Sequence, residues 1–205
     1  MRPAFVYFDL GNVLALFDRE RAYRQMAEVC GIDAANVRQA VGNGLQDALE
    51  RGSLGWEAFH QEFSRLTGTA SDPARLAAAA SDMFTLNVGM LPVIAALERV
   101  RIPLGILSNT SAIHWQHLLG RHWGILPGRF REIVLSYELG TAKPDPAIFA
   151  IATERAGVAP EAIFFCDDIP LHVAAAQAAG WSAECFSSAV AIADCLALRG
   201  LNLGL

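Results

Sequence analysis

Four short polar clusters carry whatever chemistry this chain can do. Asp9 closes the apolar run 4–8, Ala-Phe-Val-Tyr-Phe. Ser108, Asn109 and Thr110 follow the run 103–107, PLGIL. Lys143 follows the run 132–136, EIVLS, and Asp167 with Asp168 follows 162–166, AIFFC. Each run is short, continuous and rich in β-forming residues, the pattern of a parallel strand buried on both faces. In an open α/β sheet, ligands bind outside the carboxyl ends of the strands. Residues far apart in sequence therefore converge on one site that holds three carboxylates, one ammonium and one hydroxyl.

Three carboxylates in one place raise each other's pKa unless a cation neutralises them. A hard divalent ion with oxygen ligands is the simplest solution, and Mg²⁺ suits a site of carboxylates, waters and a substrate phosphate. A carboxylate such as Asp9 could then attack phosphorus as a nucleophile. Lys143 could hold the nucleophile and the phosphoryl oxygens by charge, and Ser108 could donate a hydrogen bond to one of them. That is phosphoryl transfer by positioning and electrostatics. Asn109 is a further candidate contact to phosphate or substrate, through its backbone or its side chain. His114 falls on the first turn of the helix expected over 112–122 and joins the candidates.

The elements that position these residues read as alternating strands and helices. Helices are expected over 90–100, 112–122, 145–156, 170–179 and 188–199, and a last strand over 182–186. Strands alternating with helices of this length form right-handed βαβ units and a parallel sheet flanked by helices. Between Asp9 and Ser108 the rhythm changes. Tyr23, Met26, Ala27 and Cys30 recur at helical spacing, as do Trp56, Phe59, His60 and Phe63. An Ala-rich helix over 73–84 opens at Asp72-Pro73, and Ser53 is placed to cap the helix that carries Trp56. No strand signal appears between about 16 and 87. Residues 16–87 are thus expected to be a helical insertion in an α/β core made of 1–15 and 88–205. Trp56, Phe59 and Phe63 are expected in the insertion's own core, and Trp115 and Trp123 in packing.

Composition narrows the function classes. The chain has 205 residues, 53% of them hydrophobic and 18% charged, which excludes intrinsic disorder. A net charge of −5 excludes a basic nucleic-acid footprint over the whole chain. The four cysteines form no CxxC pair and match no zinc spacing. No apolar stretch reaches the length of a membrane span, and the N-terminal apolar run meets Asp9 too early for a signal peptide. The expectation is a cytoplasmic monomer or homodimer with a small-molecule substrate.

In order and context these motifs resemble the haloacid dehalogenase (HAD) superfamily, in its subgroup with an α-helical cap inserted after the first motif. FDLGNVL is similar to the first motif, with Asp9 as nucleophile, and LSNT to the second, with Ser108. GTAKPDPAIF is similar to the third, with Lys143, and FFCDDIPLHV to the fourth, with Asp167-Asp168. The resemblance implies a Rossmann-like core. It also implies Mg²⁺ held by Asp9, by the backbone carbonyl of Gly11 and by the acidic pair, Asp168 ahead of Asp167. The chain departs from the pattern at Gly11, where most phosphatases of the family carry a second Asp that protonates the leaving group and later activates water. A DLGNV first motif resembles a bacterial branch of sugar-phosphate phosphatases, including those acting on α-glucose 1-phosphate. Asp18 or a held water could partly substitute for the missing acid. The expected activity is a Mg²⁺-dependent phosphatase for a small phosphorylated metabolite, such as a sugar phosphate, acting through an aspartyl-phosphate on Asp9. The alternatives are a 2-haloacid dehalogenase, which works without metal and lacks the acidic pair, and a non-catalytic ligand- or partner-binding protein, which Gly11 alone favours.

Overall fold

A computed structural model describes residues 1–205. The strands in chain order are β1 (Phe5–Phe8), β2 (Ala15–Phe17), β3 (Phe84–Leu86), β4 (Leu104–Ser108), β5 (Glu132–Leu135), β6 (Ile163–Asp167) and β7 (Ser182–Cys185). Five of them form one sheet in the order β5-β4-β1-β6-β7, and every pairing in it is parallel. From β1 the chain builds outward through β4 to β5, then crosses to the other side for β6 and β7. The loops after β1, β4 and β6 therefore diverge around the strand where the winding reverses, which is where such sheets open a crevice.

Alternation along β1 splits the core into two layers. Val6 and Phe8 pack with Leu104, Ile106 and Phe164 on one face. Phe5 and Tyr7 pack with Leu107, Phe149, Phe165 and Trp181 on the other. Gly105 is required by this second layer, because a Cβ there would lie 2.3 Å from the Tyr7 ring.

Five helices separate β2 from β3: α1 (Arg19–Cys30), α2 (Ala34–Gly42), α3 (Leu45–Glu50), α4 (Trp56–Thr67) and α5 (Pro73–Ser81). They enclose a separate apolar cluster that includes Met26, Val37, Leu49, Phe59, Phe63 and Leu76. Trp56 stacks on Phe59 at 4.9 Å between ring centres. The remaining helices are α6 (Leu91–Arg99), α7 (Ala112–Gly120), α8 (Ser136–Leu139), α9 (Pro146–Ala156), α10 (Pro170–Ala178) and α11 (Ala189–Leu198).

Two local expectations are corrected. Residues 16–87 do contain strand. β2 and β3 pair antiparallel, with Ala15 opposite Leu86 and Phe17 opposite Phe84, so the chain leaves and rejoins the core through a two-stranded ribbon. Each strand is three residues long, too short for alternation to show in sequence. Ser53 does not cap α4. Gly55 takes that place without a side-chain bond, and the Ser53 hydroxyl donates to the Ala48 carbonyl instead. No helix is long and apolar enough to cross a membrane.

Candidate active site

The site is built around a buried lysine. Lys143 has a fully buried side chain. Its ammonium donates to Asp9 Oδ1 at 2.8 Å, to Asp167 Oδ2 at 2.5 Å and to the Leu107 carbonyl at 2.9 Å. All three of its protons are therefore engaged. The lysine backbone is clamped by Asn109, whose amide donates to the Lys143 carbonyl and accepts from the Lys143 N–H, both at 2.8 Å. Asn109 thus spends its side chain on positioning Lys143. Asn109 also lines the cavity described below.

Asp9 follows β1, where its N–H donates to the Cys166 carbonyl of β6. The turn after it passes through Asn12 at φ 53, a left-handed conformation that asparagine tolerates. That turn aims the Asn12 amide at Asp168 Oδ2, 2.8 Å away. Carboxylate oxygens of Asp9, Asp167 and Asp168 all lie within 4.8 Å of one another. Asp167 is committed within the chain, accepting from Lys143, from the Ile169 N–H and from His172 Nδ1. Asp9 Oδ2 and Asp168 Oδ1 have no such partner. One ammonium against three carboxylates leaves negative charge over, and these hard oxygens are the donors Mg²⁺ prefers. The donor set fits that ion, with Asp9 and Asp168 ahead of Asp167.

Charge states follow from burial and neighbours. Burial pushes the Asp9 carboxyl up to about 6, against the pull of the Lys143 ammonium. Asp167 also suffers burial, but Lys143 and His172 outweigh it and hold it down at about 2. Burial works against the charge on Lys143, and the two carboxylates beside it more than restore that charge.

These groups line one cavity of about 190 Å³ between the sheet edge and the insertion. Asp9, Gly11, Ser108, Asn109, Lys143 and Asp168 come from the sheet side, whereas the buried Asp167 does not line the cavity and bonds Lys143. Ser108 is buried, and its hydroxyl makes only a long 3.4 Å contact to the Asn109 carbonyl. The N–H groups of Gly11 and Asn109 find no backbone partner. Such free amides beside a lysine suit an anion.

His114 lines the cavity from α7, with its ring edge-on to Phe84 at 5.5 Å. Burial holds it down at about 4, so at neutral pH it offers a neutral ring and not a cation. The unfolded chain binds the proton that the folded chain resists, so stability falls as pH drops from 6.5 to about 4. That gap is worth about 3 kcal/mol. Urea unfolding of wild type beside His114→Phe is expected to show a flatter acid limb in the variant across that window.

Asp18, the expected substitute for the missing acid, lies outside the cavity lining. It caps α1 by accepting from the Arg21 N–H, and its side chain is 57% exposed. Its neighbours Phe17 and Arg19 line the cavity in its place, together with Gln46 and Glu50 from α3. Those three polar or charged insertion residues carry no motif, and only packing of the insertion on the core turns them inward. His172 lies within FFCDDIPLHV, and its place in the first turn of α10, just after Asp167, is the available signal.

The geometry agrees with a family match. A model of the haloacid dehalogenase-like hydrolases matches residues 5–180. This chain belongs to the haloacid dehalogenase-like hydrolase family. A HAD family enzyme of Bacteroides thetaiotaomicron, solved in complex with magnesium and inorganic phosphate, is 27% identical with TM-score 0.80, over 89% of this chain and 93% of that one. A glyceraldehyde 3-phosphate phosphatase of Methanopyrus kandleri is 27% identical over 173 residues, 79% of this chain and 72% of the relative. A phosphatase of Mycobacterium tuberculosis is 26% identical over 191 residues, 89% of this chain and 87% of the relative. In this haloacid dehalogenase-like hydrolase the matched region takes in Asp9, Ser108, Lys143 and Asp168 together with the whole insertion.

Proposed function

We propose that this hydrolase is a Mg²⁺-dependent phosphatase for small phosphorylated metabolites, working through a phosphoryl group carried on Asp9. One observation carries the reading. Asp9 is buried with Oδ1 fixed by Lys143, while Oδ2 is unpartnered beside Asp168 in a cavity lined with anion-binding groups. The magnesium and phosphate bound by the Bacteroides relative, and the two relatives named as phosphatases, support it.

Asp9, Asp168 and the Gly11 carbonyl would hold Mg²⁺, which supplies charge neutralisation of the transferring phosphoryl group. The chain's own residues do the rest. Lys143 keeps Asp9 ionised and oriented so that Oδ2 can attack phosphorus. The Ser108 hydroxyl and the free N–H groups of Gly11 and Asn109 hold the equatorial oxygens, and their energy is largest where charge develops. His172 and the Ile169 N–H hold Asp167, which in turn fixes Lys143.

The insertion supplies the pocket for the organic group. Arg19 and Gln46 offer hydrogen-bonding groups to hydroxyls, which favours a sugar or triose phosphate. A metal-free dehalogenase has no use for the spare negative charge of the acidic pair, so that alternative ranks second.

The test is phosphate release from a panel of sugar phosphates, glycerol phosphate and p-nitrophenyl phosphate, in Mg²⁺ and in EDTA. Release in Mg²⁺ that EDTA abolishes is expected. Halide release from 2-chloropropionate in EDTA, with no phosphate release in Mg²⁺, would reverse the ranking.

A further inference from the structure

Gly11 cannot donate a proton, and Asp18 is occupied at a helix cap. We propose that Glu50, delivered by the insertion, is the catalytic acid and base of this site. The proposal rests on the phosphatase reading and names the group that completes it.

Glu50 is the one carboxyl lining the cavity besides Asp9 and Asp168. It comes from the insertion wall, whereas Asp9 comes from the sheet. In an in-line displacement the nucleophile and the leaving oxygen lie on opposite sides of phosphorus. A donor for the leaving oxygen therefore belongs on the wall that the insertion contributes. One carboxylate oxygen of Glu50 accepts from the Gln46 amide at 2.6 Å, and the other is unpartnered.

Glu50 is also the point where the insertion is bolted to the core. The Ser136 hydroxyl donates to the Glu50 carbonyl at 2.5 Å and accepts from the Thr110 N–H at 3.0 Å. Ser136 opens α8 directly after β5, and Thr110 lies two residues beyond Ser108. The backbone of Glu50 is thus registered against the loop that carries Ser108 and Asn109. A proton donor must be held this way, because proton transfer demands hydrogen-bond reach of the reacting oxygen.

The surroundings favour a retained proton. Burial pushes the Glu50 carboxyl up; the Gln46 bond, Arg19 of α1 and Lys143 from the core oppose this, and Asp47 on its own helix adds to it. Glu50 is the last residue of α3, the end where a helix disfavours a carboxylate.

The steps balance. First the bond from Asp9 Oδ2 to phosphorus forms and the ester P–O bond breaks. Glu50 gives its proton to the departing oxygen, which leaves as a neutral alcohol. Glu50, now a carboxylate, then takes a proton from water as the water oxygen attacks phosphorus. The bond to Asp9 breaks, inorganic phosphate leaves, and Glu50 is protonated again.

The experiment is Glu50→Gln on two leaving groups in saturating Mg²⁺. Glycerol is a poor leaving group as its alkoxide, so kcat/KM for glycerol phosphate is expected to fall by about 10²–10⁴-fold. p-Nitrophenolate is a stable anion that needs no acid, so its first equivalent is expected to appear within about tenfold of the wild-type rate. Hydrolysis of the phosphoenzyme still lacks its base, so a burst of one equivalent per site should precede slow turnover. Glu50→Asp keeps a carboxyl on a shorter stem and is expected to retain more glycerol phosphate turnover than Glu50→Gln. Equal losses on both esters without a burst, or equal losses in Glu50→Gln and Glu50→Asp, would assign Glu50 a structural role and overturn the proposal. Wild-type protein that releases phosphate from neither ester would instead overturn the phosphatase reading beneath it.

Discussion

Asp9→Asn is expected to lower phosphate release by more than about 10⁴-fold while the protein stays folded. The substitution is isosteric and removes only the charge and the attacking oxygen. The Asn carbonyl can still accept from Lys143, which keeps its second carboxylate partner in Asp167. No other carboxylate can take over the attack. Asp167 is engaged by Lys143, Ile169 and His172, and Asp168 is the proposed metal ligand. Steady-state kinetics with a circular dichroism melt alongside separates the two effects. A loss of activity accompanied by a collapsed melt would mean that Asp9 is needed for folding and would leave its attack on phosphorus unsupported.

Lys143→Met is expected to be the most destabilising single change at the site, and to abolish activity as well. It leaves two buried carboxylates, Asp9 and Asp167, facing each other with their cation removed. Breaking a buried pair from one side costs about 3–5 kcal/mol. For a chain of this length that is a fall in Tm on the order of 6–20 °C. The pH dependence has a definite sign. Without the ammonium, both carboxyls would sit above their unfolded values, so protonation would favour the folded state. The variant's deficit is therefore expected to shrink as pH falls from 8 to 5. Mg²⁺ is expected to restore part of the stability, because it neutralises the same charges. Thermal melts at the two pH values, with and without Mg²⁺, check both statements. A deficit that does not change with pH would mean that the loss is one of packing alone.

The sheet and the motif residues were legible in the sequence for a simple physical reason. A strand buried on both faces is a continuous apolar run, and a polar residue at its carboxyl end is conspicuous. Asp9, Ser108 and Asp167 are marked in that way, and Lys143 follows the run 132–136 at the same edge. The ribbon of β2 and β3 was hidden, since three residues show no period. Asn109 was legible as a site residue but not as the clamp on Lys143, because that role depends on two backbone groups 34 residues away. Glu50 was hidden most completely. On a six-residue helix with no motif around it, nothing local distinguishes it from a solvated glutamate. Its place in the cavity is set by the Ser136 bolt and by how five helices pack on the core.

The most direct measurement is the mass of the peptide that contains Asp9, taken from a turnover of p-nitrophenyl phosphate in Mg²⁺ that is stopped with acid. This peptide is expected to gain one phosphoryl group during turnover, to lose it as phosphate is released, and to stay unmodified in Asp9→Asn. Phosphate released by the wild type with the Asp9 peptide unmodified throughout, and released equally fast by Asp9→Asn, would contradict that expectation.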